Sequence, residues 1–148
     1  MDAAVIEATR TVVAHADPPA VASRLRDFAT LARDDPGTSS CTRLGAGPVA
    51  AGARWRATAR FLGHRAVLVF ELVRDEPELI RFVGAHGGTT ATREIALTAG
   101  PLPGTTRVTH RARVDFHGEE RLATVFARLA LKHEADGTEA GLRRLLDA

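Results

Sequence analysis

Gly118-Glu119-Glu120-Arg121-Leu122-Ala123-Thr124-Val125-Phe126-Ala127-Arg128-Leu129-Ala130-Leu131-Lys132-His133, running on to Leu145-Leu146-Asp147-Ala148, is the long stretch of this chain with a helical period. Leu122, Val125, Phe126 and Leu129 recur at three- and four-residue steps and form one apolar stripe, while Arg121, Thr124 and Arg128 fall elsewhere. Burying each large apolar side chain is worth roughly 1.5–3 kcal/mol, so the stripe needs a partner surface. The strands that precede it must supply one. Glu119 and Glu120 in the first turn, with Arg143 and Arg144 near the end, follow the charge order that the helix macrodipole favours.

Further along the helix the stripe moves. Leu131, Leu142, Leu145 and Leu146 project nearly opposite Leu122 and Leu129, and Asp136-Gly137 and Gly141 lie between the two faces. An interior Gly costs about 1 kcal/mol relative to Ala, so a bend or short break is expected near Gly137. Ala130, Gly137 and Gly141 on the inner face would leave empty volume beneath the helix.

A length of 148 residues predicts one domain spanning 1–148, with a single core. The chain is 45% hydrophobic and 26% charged, ordinary for a globular protein, and no run approaches the roughly 18 apolar residues of a membrane span. Stable membrane insertion is therefore not expected. Asp2, Glu7 and Arg10 interrupt the N-terminal apolar residues, unlike a signal peptide, and Cys41 is alone, which fits a reducing compartment; the cytoplasm is the expected location. Twenty basic against eighteen acidic side chains give a net charge of +2, and there is no Tyr, one Trp and no lysine cluster. A nucleic-acid partner is accordingly not expected.

Val5 to Ala16, rich in Val, Ile and Thr, reads as a strand. Asp17-Pro18-Pro19 ends it, with Asp17 as the N-cap of one short helix over Pro19 to Leu31 whose face is Val21, Leu25 and Phe28. Asp34-Asp35-Pro36-Gly37 turns the chain. From Thr38 to Phe116 the period becomes two. The expected strands are Ser39 to Leu44, Arg54 to Phe61, Arg65 to Arg74, Leu79 to Ala85, Thr90 to Ala99 and Thr105 to Phe116, separated by short Gly- and Pro-bearing turns. Trp55, Ala57, Ala59 and Phe61 alternate with Arg54, Arg56, Thr58 and Arg60; Val108, His110, Ala112, Val114 and Phe116 alternate with Arg107, Thr109, Arg111, Arg113 and Asp115. Short turns between successive strands imply an antiparallel meander. The plan is α+β: a curved antiparallel sheet of about seven strands around a long C-terminal helix.

With that order of elements, several fragments resemble the START/Bet v 1-like superfamily (SRPBCC), in particular its polyketide cyclase/dehydrase-type lipid-transfer group. They are Ala16-Asp17-Pro18-Pro19-Ala20-Val21 entering the first helix, Gly52-Ala53-Arg54-Trp55 opening the third strand, Asp75-Glu76-Pro77 followed by Ile80-Arg81-Phe82, Gly104-Thr105-Thr106-Arg107-Val108 opening the last strand, and the C-terminal amphipathic helix. The resemblance extends over essentially the whole chain. It implies a helix-grip fold with a hydrophobic cavity between sheet and helix that holds a lipid, a polyketide or a similar ligand.

Within that frame His110 stands first among candidate site residues, because it replaces an apolar residue in the alternation of the last strand. The commoner outcome for such a residue is a core histidine satisfied by backbone or water. His133, with Asp136 three residues on, is a second candidate acid/base group, against a solvated pair beside Lys132 and Glu134. Trp55, Ala57, Phe61, Phe82, His86, His110, Ala112, Phe126, Leu129 and His133 form the candidate ligand-binding set; plain core packing is the default for its aromatics. The arginines Arg54, Arg56, Arg60, Arg107, Arg111 and Arg113 could attract an anionic partner, such as a carrier domain in transient contact, or form a solvated outer face.

The chain has no H-E-x-x-H, no Gly-rich phosphate loop after a strand, no Cys/His metal spacing and no nucleophile elbow. No metal and no cofactor is expected. The leading function is binding of a hydrophobic polyketide-like or lipid-like molecule as a carrier, sequestering or biosynthetic accessory protein. The rival is a polyketide cyclase or aromatase of the same fold, in which orientation supplies about 7–11 kcal/mol of the barrier and one polar group moves a proton.

Overall fold

Period-two alternation produces seven strands in the computed structural model, which describes residues 4–33, 38–61, 64–116, 142, 143 and 146. The strands are β1 (Ala4–Ala14), β2 (Thr38–Leu44), β3 (Arg54–Phe61), β4 (His64–Glu76), β5 (Leu79–His86), β6 (Thr89–Ala99) and β7 (Thr106–Phe116); helices α1 (Pro18–Leu25) and α2 (Phe28–Arg33) lie between β1 and β2. All neighbours pair antiparallel in the order β1-β7-β6-β5-β4-β3-β2. Strands β2 to β7 form the expected meander, and β1 closes onto the last strand.

The expected helix over Pro19 to Leu31 is two helices. Asp27 breaks it: its carbonyl accepts the N–H groups of Thr30 and Leu31, and its side-chain Oδ1 accepts that of Ala29 at 3.0 Å. An Asp side chain that bonds its local backbone competes with a continuous helix and starts a new one. At the first start, Pro18 opens α1 one residue earlier than expected, and the carbonyl of Asp17, not its carboxylate, receives the first bonds.

The ladder between β4 and β5 is bulged between Leu72 and Arg74. A bulge shifts the side-chain parity by one and bends the strand. Asp75 thereby sits opposite Ile80 on the concave side, and its Oδ1 lies 3.4 Å from Nε of Arg26 at the junction of the two helices. The turn segment 34–37, the helix stripe from Leu122 to Leu131 and the bend near Gly137 lie outside the described residues. Leu142 and Leu146, one helical turn apart, are buried in the core.

On the convex face the arginines are matched by acids. Arg81 donates to Glu94 through Nε and Nη2, Arg111 reaches both Glu94 and Glu7 at 3.3 Å, and Arg54 meets Glu71 at 3.1 Å. Such exposed cross-strand pairs stabilise little individually, but they neutralise much of the stripe that the alternation suggested.

Candidate ligand-binding site

Residues directly opposite one another on neighbouring antiparallel strands share a face. One row across the concave face therefore reads Ile6, Val114, Ala91, Gly84, Phe70, Trp55 and Arg43; the next runs Ala8, Ala112, Arg93, Phe82 and Leu72; a third runs Arg10, His110, Ile95, Ile80 and Asp75. The rows are not equally filled.

Toward β3 and β4 the concavity is packed. Phe28 of α2 stacks on Phe70 with centroids 4.4 Å apart, meets Phe82 edge-on at 5.0 Å and lies 6.1 Å from Trp55, which meets Phe82 at 5.7 Å. Trp55 Nε1 donates to Asp27 Oδ1 at 3.1 Å, so the residue that restarts the helix also satisfies the buried indole. The Arg43 guanidinium lies 5.5 Å above the indole. Phe70 can lie flat because its cross-strand partner is Gly84, where a Cβ would stand 2.8 Å from the ring.

Toward β1, β6 and β7 the same face is small-sided and incompletely covered. Ala8, Ala91, Ala112, Val114 and Arg93 are half-buried, whereas Val108, His110 and Ile95 farther along are buried. His110 retains 2% of its exposure and faces Arg10 across the β1–β7 ladder. Arg93 is opposite Ala112, so it and His110 are diagonal neighbours, a spacing of about 7–8 Å. The guanidinium of Arg93 lies 5.8 Å from the Phe28 ring centroid, joining the open end to the packed end.

Cys41 of β2 is a half-buried free thiol. Its thiol is pushed up to about 11, first by burial and then by the Asp27 carboxylate, with Arg93 acting the other way.

Among the residues picked from sequence, Trp55, Ala57, Phe82 and His110 are buried on the concave side, and Ala112 is half-buried there. His86 is exposed at the β5–β6 hairpin, with Nδ1 at 3.1 Å from the Val67 carbonyl oxygen. Phe126, Leu129, His133 and the Phe61 side chain lie outside the described residues. Sequence reasoning missed Arg10, Arg43 and Arg93. The signal was present: Arg93 shares parity with Ile95 and Leu97, and Arg10 with Val12 and Ala14.

A curved antiparallel sheet, with a helix pair between its first two strands and with Leu142 and Leu146 buried in its core, fits the helix-grip class. The chain belongs to the polyketide cyclase / dehydrase and lipid transport family, whose model matches residues 5–147. This places it in the START/Bet v 1-like superfamily, and as a class among binders of hydrophobic small molecules. The structure is similar to the Zhui aromatase/cyclase from Streptomyces sp. R1128, with TM-score 0.72 and 15% identity over 97% of this chain and 93% of that one. A START superfamily protein from Mycobacterium smegmatis superposes with TM-score 0.67 and 16% identity, covering 94% and 98%. Ara h 8.0201 does so with TM-score 0.66 and 12% identity, covering 98% and 100%. At these identities the likeness is one of fold. No curated protein matches the chain in sequence. Among the described residues no helix is long and apolar enough to cross a membrane, and no group of three or more His, Cys, Asp or Glu could hold a metal ion.

Proposed function

We propose that this protein binds a hydrophobic small molecule, polyketide-like or lipid-like, against the concave face, acting in the cytoplasm as a carrier, sequestering or biosynthetic accessory protein. The observation that carries this is the uneven burial of one sheet face: apolar side chains fill it toward Trp55 and Phe82, while Ala8, Ala91, Ala112 and Val114 remain half-buried. An apolar surface that the protein's own side chains leave partly uncovered gains stability by covering with an apolar guest. Titration with hydrophobic polycyclic compounds, followed by amide NMR shifts, tests the assignment. Shifts should cluster on β1, β6, β7 and the C-terminal residues; shifts confined to Arg56, Arg65 and Arg107 on the convex face would reject it.

A second reading, a polyketide cyclase or aromatase, is favoured by His110, a buried imidazole beside the half-buried surface and diagonal to a guanidinium. An imidazole there could take and return a proton while the cavity holds the chain in a reactive conformer. Under this reading His110→Ala abolishes turnover of a poly-β-keto substrate while affinity stays within a few fold. Equal turnover by wild type and variant removes it.

A further inference from the structure

We infer that β1 pairs with β1 of a second copy of this chain, antiparallel and across a two-fold axis at Thr9, so that two sheets join edge to edge. Among the described residues β1 is paired to a strand on one side only. It is 11 residues long and holds no Pro, Gly or Lys. A strand edge in that state is a template for another strand. The opposite edge of the sheet is protected by ordinary means: β2 has 7 residues, its register shifts between Thr38 and Ser40, and α2 lies against it.

The strand's own sequence selects a second copy as the partner. Thr9 is the midpoint of β1, and the residues equidistant from it match: Ala4 with Ala14, Val5 with Val13, Ile6 with Val12. Burial has the same symmetry, with Ile6 and Val12 at 4% and 2% and Val5 and Val13 at 39% and 36%. A two-fold interface must be self-complementary, and an axis at Thr9 sets valine on valine on the convex side and Ile6 on Val12 on the concave side. Opposite residues must share a face, so the axis passes through a residue and not between two. An axis at Glu7 or Arg10 opposes like charges. One at Ala8 sets Arg10 against Ile6, and one at Thr11 sets Arg10 against Val12 and leaves Val5 and Ile6 unpaired. At Thr9, Glu7 meets Thr11 and Arg10 meets Ala8, and the whole strand is used.

Arg10 Nη1 donates to the Thr9 carbonyl at 2.7 Å. A carbonyl oxygen has two lone pairs, so a ladder bond can be added, but a charged side chain at mid-edge weakens strand pairing. The dimer is therefore reversible. A ladder of this length supplies about ten hydrogen bonds, as many as an ordinary specific interface carries. Both concave faces lie on the same side of the joined sheet, with Arg10 of the second copy opposite the half-buried Ala8.

Sedimentation equilibrium of the full chain tests the pairing. Wild type should exchange between monomer and dimer near about 0.1 mM. Val5→Lys/Val13→Lys places like charges opposite each other at both ends of the ladder and should weaken the dimer at least about tenfold. Val5→Lys/Val13→Glu places opposite charges there and should recover most of the affinity. In a Cys41→Ser background, Thr9→Cys lies opposite itself and should oxidise to a covalent dimer, whereas Thr11→Cys, about 14 Å from its own copy, should not. A wild-type chain that stays monomeric up to about 1 mM overturns the inference. So does a dimer that Val5→Lys/Val13→Lys leaves intact, and so does equal cross-linking through Thr9→Cys and Thr11→Cys. Should a valine variant not fold, as read by circular dichroism, wild-type sedimentation and the two cysteine variants decide.

Discussion

The indole N–H of Trp55 and the backbone N–H of Ala29 converge on one oxygen, Oδ1 of Asp27, at 3.1 and 3.0 Å. A single carboxylate therefore ties the start of α2 to the buried floor of the sheet. Asp27→Ala removes a helix cap, worth about 1 kcal/mol, and strands a buried N–H, worth about 1–3 kcal/mol. A loss of roughly 2–4 kcal/mol in urea unfolding is expected, with altered Trp55 emission. Asp27→Asn, which keeps the acceptor oxygen, should retain most of the stability; equal losses would show that the shared bond is not the cause.

Gly84 is required for its lack of a side chain, since a Cβ there would come 2.8 Å from two ring carbons of Phe70. Phe70 cannot retreat freely because Phe28 stacks on its ring. Gly84→Ala should destabilise by about 1–3 kcal/mol, the usual range for overpacking a core. An unchanged melting temperature would mean that the stack is loose.

Burial holds the Cys41 thiol protonated to about pH 11. At pH 8 only about one molecule in a thousand carries the reactive thiolate, so disulfide exchange with Ellman's reagent should run about 100-fold slower than with a free thiol of pKa 9. The rate should rise tenfold per pH unit up to about 11. The sign for stability follows from the same shift. Between pH 9 and about 11 the unfolded chain loses this proton before the folded one, so the contribution is fully present below pH 9 and disappears as pH rises through that window. Cys41→Ser should lack that alkaline limb; a limb of equal size in both proteins would assign it elsewhere.

Leu142 and Leu146 are buried, at 3% and 4% exposure. Either one changed to Ala should cost about 2–5 kcal/mol in chemical denaturation. A cost below about 0.5 kcal/mol would mean that these two leucines do not contribute to the core.

Seven strands and their antiparallel order were legible because alternation has a fixed period, and turn residues such as Pro77 and Gly87-Gly88 stand between apolar runs. The inward direction of His110 followed from the same parity. Other features were not legible. The bond between Asp27 and the Trp55 indole depends on β3 arriving beside α2, and the inward turn of Asp75 depends on a bulge set by the pairing of β4 with β5. Arg93 was overlooked because β6 mixes Thr, Ala and Arg, which dilutes an alternation carried only by Ile95 and Leu97.

From the residues alone came the local geometry: which segments extend, where they turn, and which side of β3, β5 and β7 is apolar, since these depend on backbone sterics and on neighbours two to four positions away. The tertiary structure decided what those faces meet. Only the packing of α2 onto the sheet sets the Arg93 guanidinium of β6 over the Phe28 ring, and only the register sets an arginine and a histidine on adjoining rows at the edge of a half-covered apolar surface. Contacts between residues distant in the chain depend on pairing and curvature, which no local pattern encodes.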